Sequence, residues 1–263
     1  RVRVGATCGG AALSGEGRQG QDGHSHILAS TVPNCLSYDP AFSYEIAVII
    51  KDGIQKMYVD QKNYFYYITT MNENYEHPPM PKGAEEGIIK GMYKLLPAKK
   101  PVIRLLGSGS ILNESIKAKE LLSTYGIESE VWSVTSFNLL RKDGMETERK
   151  NQLNPTKKEQ KTYVEECFED NPIPVVASTD YMRSYAEQIR PYVNSDYTVL
   201  GTDGFGRSDS RESLREFFEI DANSIARAAA YTLHKNKIMD KAQLKKIYDD
   251  IEVDPLKPNP WEV

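Results

Sequence analysis

The chain of 263 residues has a composition typical of soluble globular proteins, with 40% hydrophobic and 27% charged residues, and is long enough for one large domain or two ordinary ones. A formal net charge of -4 argues against nucleic acid as the main partner, and no apolar run approaches the roughly 20 residues that a membrane-spanning helix needs. The three cysteines form no CxxC pair, which favours a reducing, cytoplasmic compartment over a disulfide framework.

The first part of the chain predicts strands around one helix. Short apolar or aromatic runs predict strands at residues 2–6, 32–38 and 64–70. The glycine-rich stretch 9–23 predicts a functional or disordered loop. We expect Asp39 to cap a helix that has Pro40 at its first position, because apolar residues follow at intervals of three to four.

The second part begins after a polar stretch with three prolines, residues 72–83, which predicts a linker and a domain boundary. Strands are predicted at 102–106, 131–137, 174–178 and 197–200, and helices at 112–125, 180–192, 220–233 and 242–251. We expect Asp180 and Asp240 to be helix caps, and the charged residues 141–171 to form a surface excursion. The alternation predicts an α/β fold with a mostly parallel sheet covered by helices.

One loop concentrates polar groups suited to catalysis. Residues 15–26, GEGRQGQDGHSH, hold two of the four histidines, and histidine transfers protons most easily near neutral pH. Glu16 and Asp22 are placed to orient the rings of His24 and His26. Two alternatives stay open: a surface loop with incidental histidines, and a metal site, for which no third ligand is evident nearby.

Two further glycine-rich turns lie between a predicted strand and a predicted helix. Residues 106–110, LGSGS, have the composition of a phosphate cradle, but tight structural turns use the same residues, and we favour the structural interpretation. Residues 201–211, GTDGFGRSDSR, are suited either to binding an anion or to an arginine–aspartate network that fixes a loop at an interface. The residues alone do not separate these two.

Together, these motifs resemble the C-terminal portion of the homodimeric pyruvate dehydrogenase first component, a thiamin diphosphate-dependent decarboxylase of the transketolase superfamily. The stretches that carry the resemblance are VGAT near residue 4, GEG…QDGHSH, PNCLSYDPAFSYE, YYITTMNENY, LLGSGSIL, VWSVTSF, ASTDYM and GTDGFGRSDSRESLR. The resemblance runs from Val4 to about Asn223. Because the chain also starts without Met, we expect it to be a piece of a longer protein.

The resemblance implies two domains and a set of site residues. Residues 1–78 are expected to form the C-terminal part of the pyrimidine-binding domain, and residues 79–263 a transketolase C-terminal-like domain. The implied catalytic residues are Glu16, His24 and His26, and the implied substrate-binding residues are Gln19, Gln21 and Asp22. Gly20 stands where the family commonly has histidine, and Arg18 where it tends to be apolar, so a 2-oxo acid other than pyruvate stays open.

The implied activity is decarboxylation of a 2-oxo acid and reductive acylation of the lipoyl group of a dihydrolipoyl acyltransferase, by a cytoplasmic homodimer with no nucleic-acid or membrane partner. The parent enzyme is expected to use thiamin diphosphate and Mg²⁺. This chain has no Gly-Asp-Gly stretch for the diphosphate and metal, so we expect no tight cofactor binding and no activity from the chain alone. A transketolase-like carboligase and a non-catalytic dimerisation or regulatory module remain the alternatives, and residues 202–211 are expected to serve packing or the dimer interface.

Overall fold

The computed structural model describes residues 2–5, 11, 21–169 and 171–263, which contain two β-sheets. The strands are β1 Val2–Gly5, β2 Cys35–Tyr38, β3 Phe65–Thr69, β4 Met92–Leu96, β5 Ile103–Gly107, β6 Ser129–Val134, β7 Val175–Ser178 and β8 Tyr197–Leu200. The first sheet has the parallel order β1-β3-β2. The second has the order β4-β6-β5-β7-β8, in which β4 is antiparallel and the remaining pairs are parallel.

Helices connect and cover the strands. They are α1 Ser25–Ser30, α2 Ser43–Ile54, α3 Glu85–Lys90, α4 Ile111–Thr124, α5 Phe137–Leu153, α6 Tyr163–Phe168, α7 Arg183–Glu187, α8 Arg211–Phe217, α9 Ala222–Lys235 and α10 Lys241–Asp250. A π-helical turn, Gln55–Val59, extends α2, and short 3-10 turns lie at Arg190–Tyr192 and Pro260–Glu262. Within the described ranges, no helix combines the length and the apolar character needed to cross a bilayer.

The predicted α/β fold with a mostly parallel sheet is confirmed. The aromatic run at residues 64–70 forms β3, the central strand of the first sheet, with Tyr66 and Ile68 buried. The four strands predicted in the second part appear as β5 to β8, and β5, β6 and β7 are buried along their whole length, as expected for strands covered on both faces. The antiparallel edge strand β4 was not predicted.

The expectation that Asp39 and Pro40 begin a helix is wrong. Helix α2 begins at Ser43, after Phe42. Asp39 is engaged elsewhere, because its carboxylate accepts a hydrogen bond from Thr69 and its N–H donates to the carbonyl of Thr135. These tertiary partners replace the local cap.

One other cap expected in the second part is also wrong. Asp180 does not cap α7, which begins at Arg183; its buried carboxylate accepts the N–H of Ala11. Most side chains of residues 141–160 are exposed, as expected for a surface excursion, and α5 and α6 account for much of the segment 141–169. The cap at Asp240 is confirmed, since its side chain accepts the N–H of Gln243 at 2.8 Å.

The two sheets meet at a buried polar junction. The carboxylate of Glu45, on α2, accepts hydrogen bonds from Tyr93 Oη at 2.7 Å and Ser133 Oγ at 2.6 Å, both in the second sheet. The connecting stretch 72–83 is packed as well, because Glu73 forms an ion pair with the buried Arg215. On the other side, Tyr75 Oη donates to the carbonyl of Ala41. The connection is therefore held to both parts of the structure, and the exact domain boundary stays a prediction.

Candidate active site

The carboxyl ends of the parallel strands from both sheets converge on one region. Thr69 ends β3, Asp39 follows β2, Ser108 follows β5, and Tyr181 lies beyond the end of β7. Thr69 donates to Asp39, and the N–H of Gly109 donates to the carbonyl of Asp39 at 3.1 Å. In α/β folds ligands bind outside the carboxyl ends of the strands, so this region is the candidate site.

The two histidines of the QDGHSH loop have different surroundings. Asp22 Oδ1 accepts the N–H groups of His24 and Ser25, each at 2.9 Å, and so starts helix α1. His24 is exposed, whereas His26 is completely buried. One ring thus faces solvent while the other is enclosed, which argues against the HxH metal site considered from the sequence.

The ring of His26 is enclosed by three tyrosines. It stacks on Tyr185 with ring centroids 4.8 Å apart, and it meets Tyr181 and Tyr67 edge to face at 4.7 and 5.5 Å. Burial lowers the pKa of His26 from 6.5 to about 3, against a smaller opposing effect of the Asp22 charge. His26 is therefore neutral near pH 7 and has one N–H donor and one nitrogen acceptor.

A buried carboxyl group, that of Asp39, is connected to this ring through the hydroxyl of Thr69. Thr69 Oγ1 is 3.1 Å from His26 Nε2 and donates to Asp39 Oδ1 at 2.7 Å. Burial raises the pKa of Asp39 from 3.8 to about 7, although hydrogen bonds from Thr69 and Ser108 oppose the shift. Burial likewise raises the pKa of Asp180 to about 8. Carboxyls that titrate near neutral pH are concentrated at functional sites.

Several polar atoms of the site are buried without a hydrogen-bond partner in the described part of the chain. They are Asp22 Oδ2, Ser25 Oγ, His26 Nδ1, Asp39 Oδ2, Tyr181 Oη and Tyr185 Oη. A buried polar atom without a partner costs about 1–3 kcal/mol, so such a group requires an explanation. A small polar ligand at the strand ends would supply partners of the appropriate kind.

The GTDGFGR stretch holds the histidine loop in place. The side-chain amide of Gln21 binds the backbone of Arg207 at both its N–H and its carbonyl, and the N–H of Met182 donates to the carbonyl of Gly23 at 3.0 Å. Arg207 lies over the ring of Phe217, with its guanidinium carbon 4.5 Å from the ring centroid. These contacts favour the structural interpretation of residues 201–211 over anion binding.

The LGSGS turn contacts a carboxylate of the chain itself. The backbone of Gly109 has a φ of +52°, and a Cβ at this position would lie 2.7 Å from Asp39 Oδ2. Only glycine allows this approach of the Asp39 carboxylate to the turn. The structural interpretation of this turn, which the sequence favoured, therefore agrees with its geometry.

Comparison with known proteins identifies the family. Residues 1–78 match the model of the pyruvate dehydrogenase E1 component middle domain, and residues 91–221 match that of a transketolase-like C-terminal domain. The first segment belongs to the family of pyruvate dehydrogenase E1 middle domains, and the second to the family of transketolase-like C-terminal domains. The resemblance stated from the sequence motifs is thereby confirmed.

Curated relatives of this chain agree with the two models. The chain is 53% identical to the pyruvate dehydrogenase E1 component of Pseudomonas aeruginosa, over 98% of this chain and 30% of that protein. It is 51% identical to the protein of the same name from Escherichia coli (98% and 29% covered) and 46% identical to that from Cupriavidus necator (99% and 30%). The chain thus spans about 30% of the length of the curated relatives it matches.

Solved transketolases share the fold of this chain. A transketolase variant from Pichia stipitis matches with a TM-score of 0.65 at 18% identity, covering 91% of this chain and 30% of that one. The transketolase from Leishmania mexicana matches with a TM-score of 0.61 at 16% identity, covering 89% and 30%. At such identities the likeness establishes the fold alone.

The site residues expected from the E1-family resemblance do not all lie together in the structure. Glu16 and Gln19 lie outside the described residues. His26 lies at the strand ends, His24 is exposed on the loop, and Gln21 is bound to the backbone of Arg207. Among the residues that the structure describes, no group of three or more His, Cys, Asp or Glu could hold a metal ion. The catalytic and substrate-binding roles stay predictions.

Sequence reasoning missed the residues that surround His26. Asp39, Thr69, Tyr181 and Tyr185 come from three separate parts of the chain. One signal was available: Asp39 and Thr69 are polar residues at the carboxyl ends of predicted strands, which is where parallel sheets place their sites. No comparable sequence signal distinguishes the two tyrosines from core aromatics.

Proposed function

We propose that this chain forms part of a thiamin diphosphate-dependent 2-oxo acid dehydrogenase component. The substrate is pyruvate, and the acyl group passes by reductive acylation to the lipoyl group of a dihydrolipoyl acyltransferase. The matches to the pyruvate dehydrogenase E1 middle-domain model and to the transketolase-like C-terminal-domain model support the proposal most strongly, because together they cover both parts of the chain. The meeting of strand ends around His26 supports it from the geometry.

The described residues fit the substrate end of such a site. Three of their buried atoms without partners are hydroxyls, of Ser25, Tyr181 and Tyr185, which can donate hydrogen bonds to the oxygens of a small ligand such as a 2-oxo acid. The ring nitrogen and the carboxylate oxygens can accept from a hydroxyl formed on the substrate. Thiamin diphosphate, when bound, supplies an electron sink for the loss of CO₂. We propose that its diphosphate and Mg²⁺ are held by residues of the parent enzyme outside this sequence, so that the chain alone binds the cofactor weakly and is inactive.

His26 is the proposed catalytic residue with the best-defined surroundings. Because its ring is neutral at pH 7, it can donate one hydrogen bond to a substrate oxygen or accept one from a substrate hydroxyl without bringing a buried charge. We propose that Asp22 starts the helix that carries this ring and that Gln21 fixes the loop against Arg207. Glu16, Gln19 and His24 are proposed to complete the substrate-facing loop.

The proposed assembly is a cytoplasmic homodimer that works with the acyltransferase of its complex. We propose that GTDGFGRSDSR holds the histidine loop and serves packing of the C-terminal domain or the dimer interface. The contacts of Arg207 with Gln21 and Phe217 support that assignment.

The decisive test uses the full-length parent protein with thiamin diphosphate and Mg²⁺. We expect cofactor-dependent release of CO₂ from pyruvate and acetylation of an isolated lipoyl domain. A parallel assay with 2-oxobutyrate measures whether the enzyme, which has Gly20 in place of histidine, also accepts a larger 2-oxo acid as its substrate. If the protein transfers a two-carbon unit between sugars without releasing CO₂, the proposed function is wrong and the protein is a carboligase. If it binds neither cofactor nor substrate, the proposed function is wrong and the protein is a non-catalytic module.

A calorimetric titration of the chain of 263 residues tests whether cofactor binding depends on the rest of the parent enzyme. We expect no stoichiometric heat when thiamin diphosphate and Mg²⁺ are titrated into it by calorimetry. Tight binding would contradict the proposal that the main anchors lie elsewhere, and the LGSGS and GTDGFG turns would then have to be tested as phosphate sites.

A further inference from the structure

A hydrogen-bond chain connects His26 to a buried carboxyl. Thr69 Oγ1 lies 2.7 Å from Asp39 Oδ1 and 3.1 Å from His26 Nε2, and the three residues are completely buried. The carbonyl of Tyr38, at 3.3 Å, is a more distant alternative acceptor for the same hydroxyl. A hydroxyl has one proton, so it can donate to only one of these neighbours at full strength.

The direction of this chain follows from the charge of Asp39. An ionised carboxylate only accepts hydrogen bonds, so Thr69 gives its proton to Asp39 Oδ1. The hydroxyl oxygen of Thr69 is then left as an acceptor for His26, and Nε2 must carry the ring proton. His26 Nδ1 consequently has a bare lone pair, and it is a buried atom without a partner among the described residues.

We propose that Asp39 and Thr69 are positioning residues that hold His26 in the Nε2–H tautomer and leave Nδ1 as the hydrogen-bond acceptor for the substrate or its reacting proton. The inference rests on the proposed function, because a fixed acceptor matters only if a substrate reaches the ring. It extends that function by assigning which ring nitrogen acts. It also assigns roles to two residues that the sequence motifs left without one.

The packing around the ring restricts the alternatives. Stacking on Tyr185 and edge contacts with Tyr181 fix the plane of the imidazole, and within this plane the hydrogen bond of 3.1 Å directs Nε2 at Thr69. The opposite tautomer requires a proton on Asp39, which would then donate to Thr69. The carboxyl groups that interact with Asp39 include Glu45, Asp22 and Asp180, and their like charge favours that proton as the pH falls. The Nε2–H tautomer is therefore expected above the pKa of Asp39, which is about 7.

The tautomer can be measured directly by nitrogen NMR on the chain labelled with ¹⁵N-histidine, at about pH 8 to keep Asp39 ionised. The chain has four histidines, and the His26→Gln variant identifies the signals of one of them. We expect a protonated Nε2 and an unprotonated Nδ1 for His26. A protonated Nδ1 in the unmodified chain overturns the proposal, and this result requires no variant at Thr69.

Two substitutions at Thr69 form a matched pair. Thr69→Ser keeps the hydroxyl and should keep the tautomer, whereas Thr69→Val keeps the shape, removes the hydroxyl and should give mixed tautomers. In the full-length enzyme we expect Thr69→Val to lower kcat for CO₂ release by about tenfold or more with a smaller change in KM, and Thr69→Ser to stay within about threefold of the unmodified enzyme. A Thr69→Val spectrum identical to that of the unmodified chain overturns the positioning role.

The two measurements separate this inference from the function on which it rests. The spectrum tests the tautomer without any turnover. If the spectrum is as expected but kcat of the folded Thr69→Val enzyme is unchanged, the positioning role in the reaction is wrong while the proposed function stands. If the unmodified full-length enzyme releases no CO₂, the proposed function fails on its own.

Discussion

Replacing Asp39 by asparagine should change how stability depends on pH. Burial raises the pKa of this carboxyl from 3.8 to about 7, with Glu45 and Asp22 adding to the shift. A folded-state pKa above the unfolded value gives stability that is fully present below pH 3.8 and is lost as the pH rises through about 7. The Asp39→Asn variant has no carboxyl to ionise at this position, so this loss should disappear.

The magnitude follows from the two pKa values. Each unit of difference is worth about 1.4 kcal/mol, and most of the titration lies between the unfolded and the folded pKa. Between about pH 5 and pH 8 the unmodified chain should lose about 2–3 kcal/mol of unfolding free energy relative to Asp39→Asn. Asp180, with a raised pKa of about 8, and His26, with a lowered pKa of about 3, titrate in both proteins. Most of their effect cancels in the comparison, because the charge of Asp39 is only a lesser cause of the Asp180 shift, behind burial.

Urea unfolding at a series of pH values measures this difference. Asp254→Asn is the matched control, because it makes the same substitution at an exposed position. Parallel stability curves for the unmodified chain and Asp39→Asn, to within about 0.5 kcal/mol, would refute the assignment of a raised pKa to Asp39.

Three further substitutions test the packing that positions the site. Glu45→Ala should cost about 3 kcal/mol or more in urea unfolding, because its carboxylate accepts four hydrogen bonds at the junction of the sheets; Glu45→Gln should cost clearly less, and equal losses would contradict this role. Gly201→Ala should lower stability by about 1–3 kcal/mol, since its Cβ would lie 2.6 Å from the carbonyl oxygen of Tyr181. The control Gly23→Ala should be tolerated, because the nearest atom to its Cβ would be 3.7 Å away. Similar melting temperatures for the two variants would argue against the close approach at Gly201. Trp261→Ala should cost about 0.5–1 kcal/mol in thermal unfolding through loss of its contact with the Arg183 guanidinium, and no loss would show that this exposed contact is not stabilising.

Secondary structure was predictable where local signals and tertiary packing agree. Strand β8 has the predicted bounds, and α10 begins after the predicted cap, Asp240. Helix α5 was missed because its buried residues, such as Leu140 and Gly144, form a thin stripe among many charged side chains. Strand β4 was missed because Lys94 is exposed at the sheet edge and interrupts the apolar run.

Tertiary contacts explain the wrong helix caps. Asp39 and Asp180 both precede helices and both have the residue type that caps them. In the folded chain their carboxylates are buried and bind Thr69 and Ala11 instead. A sequence window contains no information about partners that lie 30 and 169 positions away.

The candidate site was also predictable only in part from the sequence. The QDGHSH loop could be selected from its composition, because histidines and glycines are adjacent in the sequence. The surroundings that make His26 neutral and fix its ring could not be selected, since Thr69, Tyr181 and Tyr185 meet only at the strand ends. The motif was therefore sufficient to predict the loop, whereas the residues that surround His26 are evident only from the sheet topology.

The central claim is that His26 acts on the substrate in a thiamin diphosphate-dependent decarboxylation. The most direct measurement is the rate of CO₂ release from pyruvate by the full-length protein carrying His26→Gln, with the exposed His77→Gln as the control. The account predicts a loss in kcat/KM of about 100-fold or more for His26→Gln and activity close to that of the unmodified protein for His77→Gln. A folded His26→Gln protein that keeps the full rate would contradict the account.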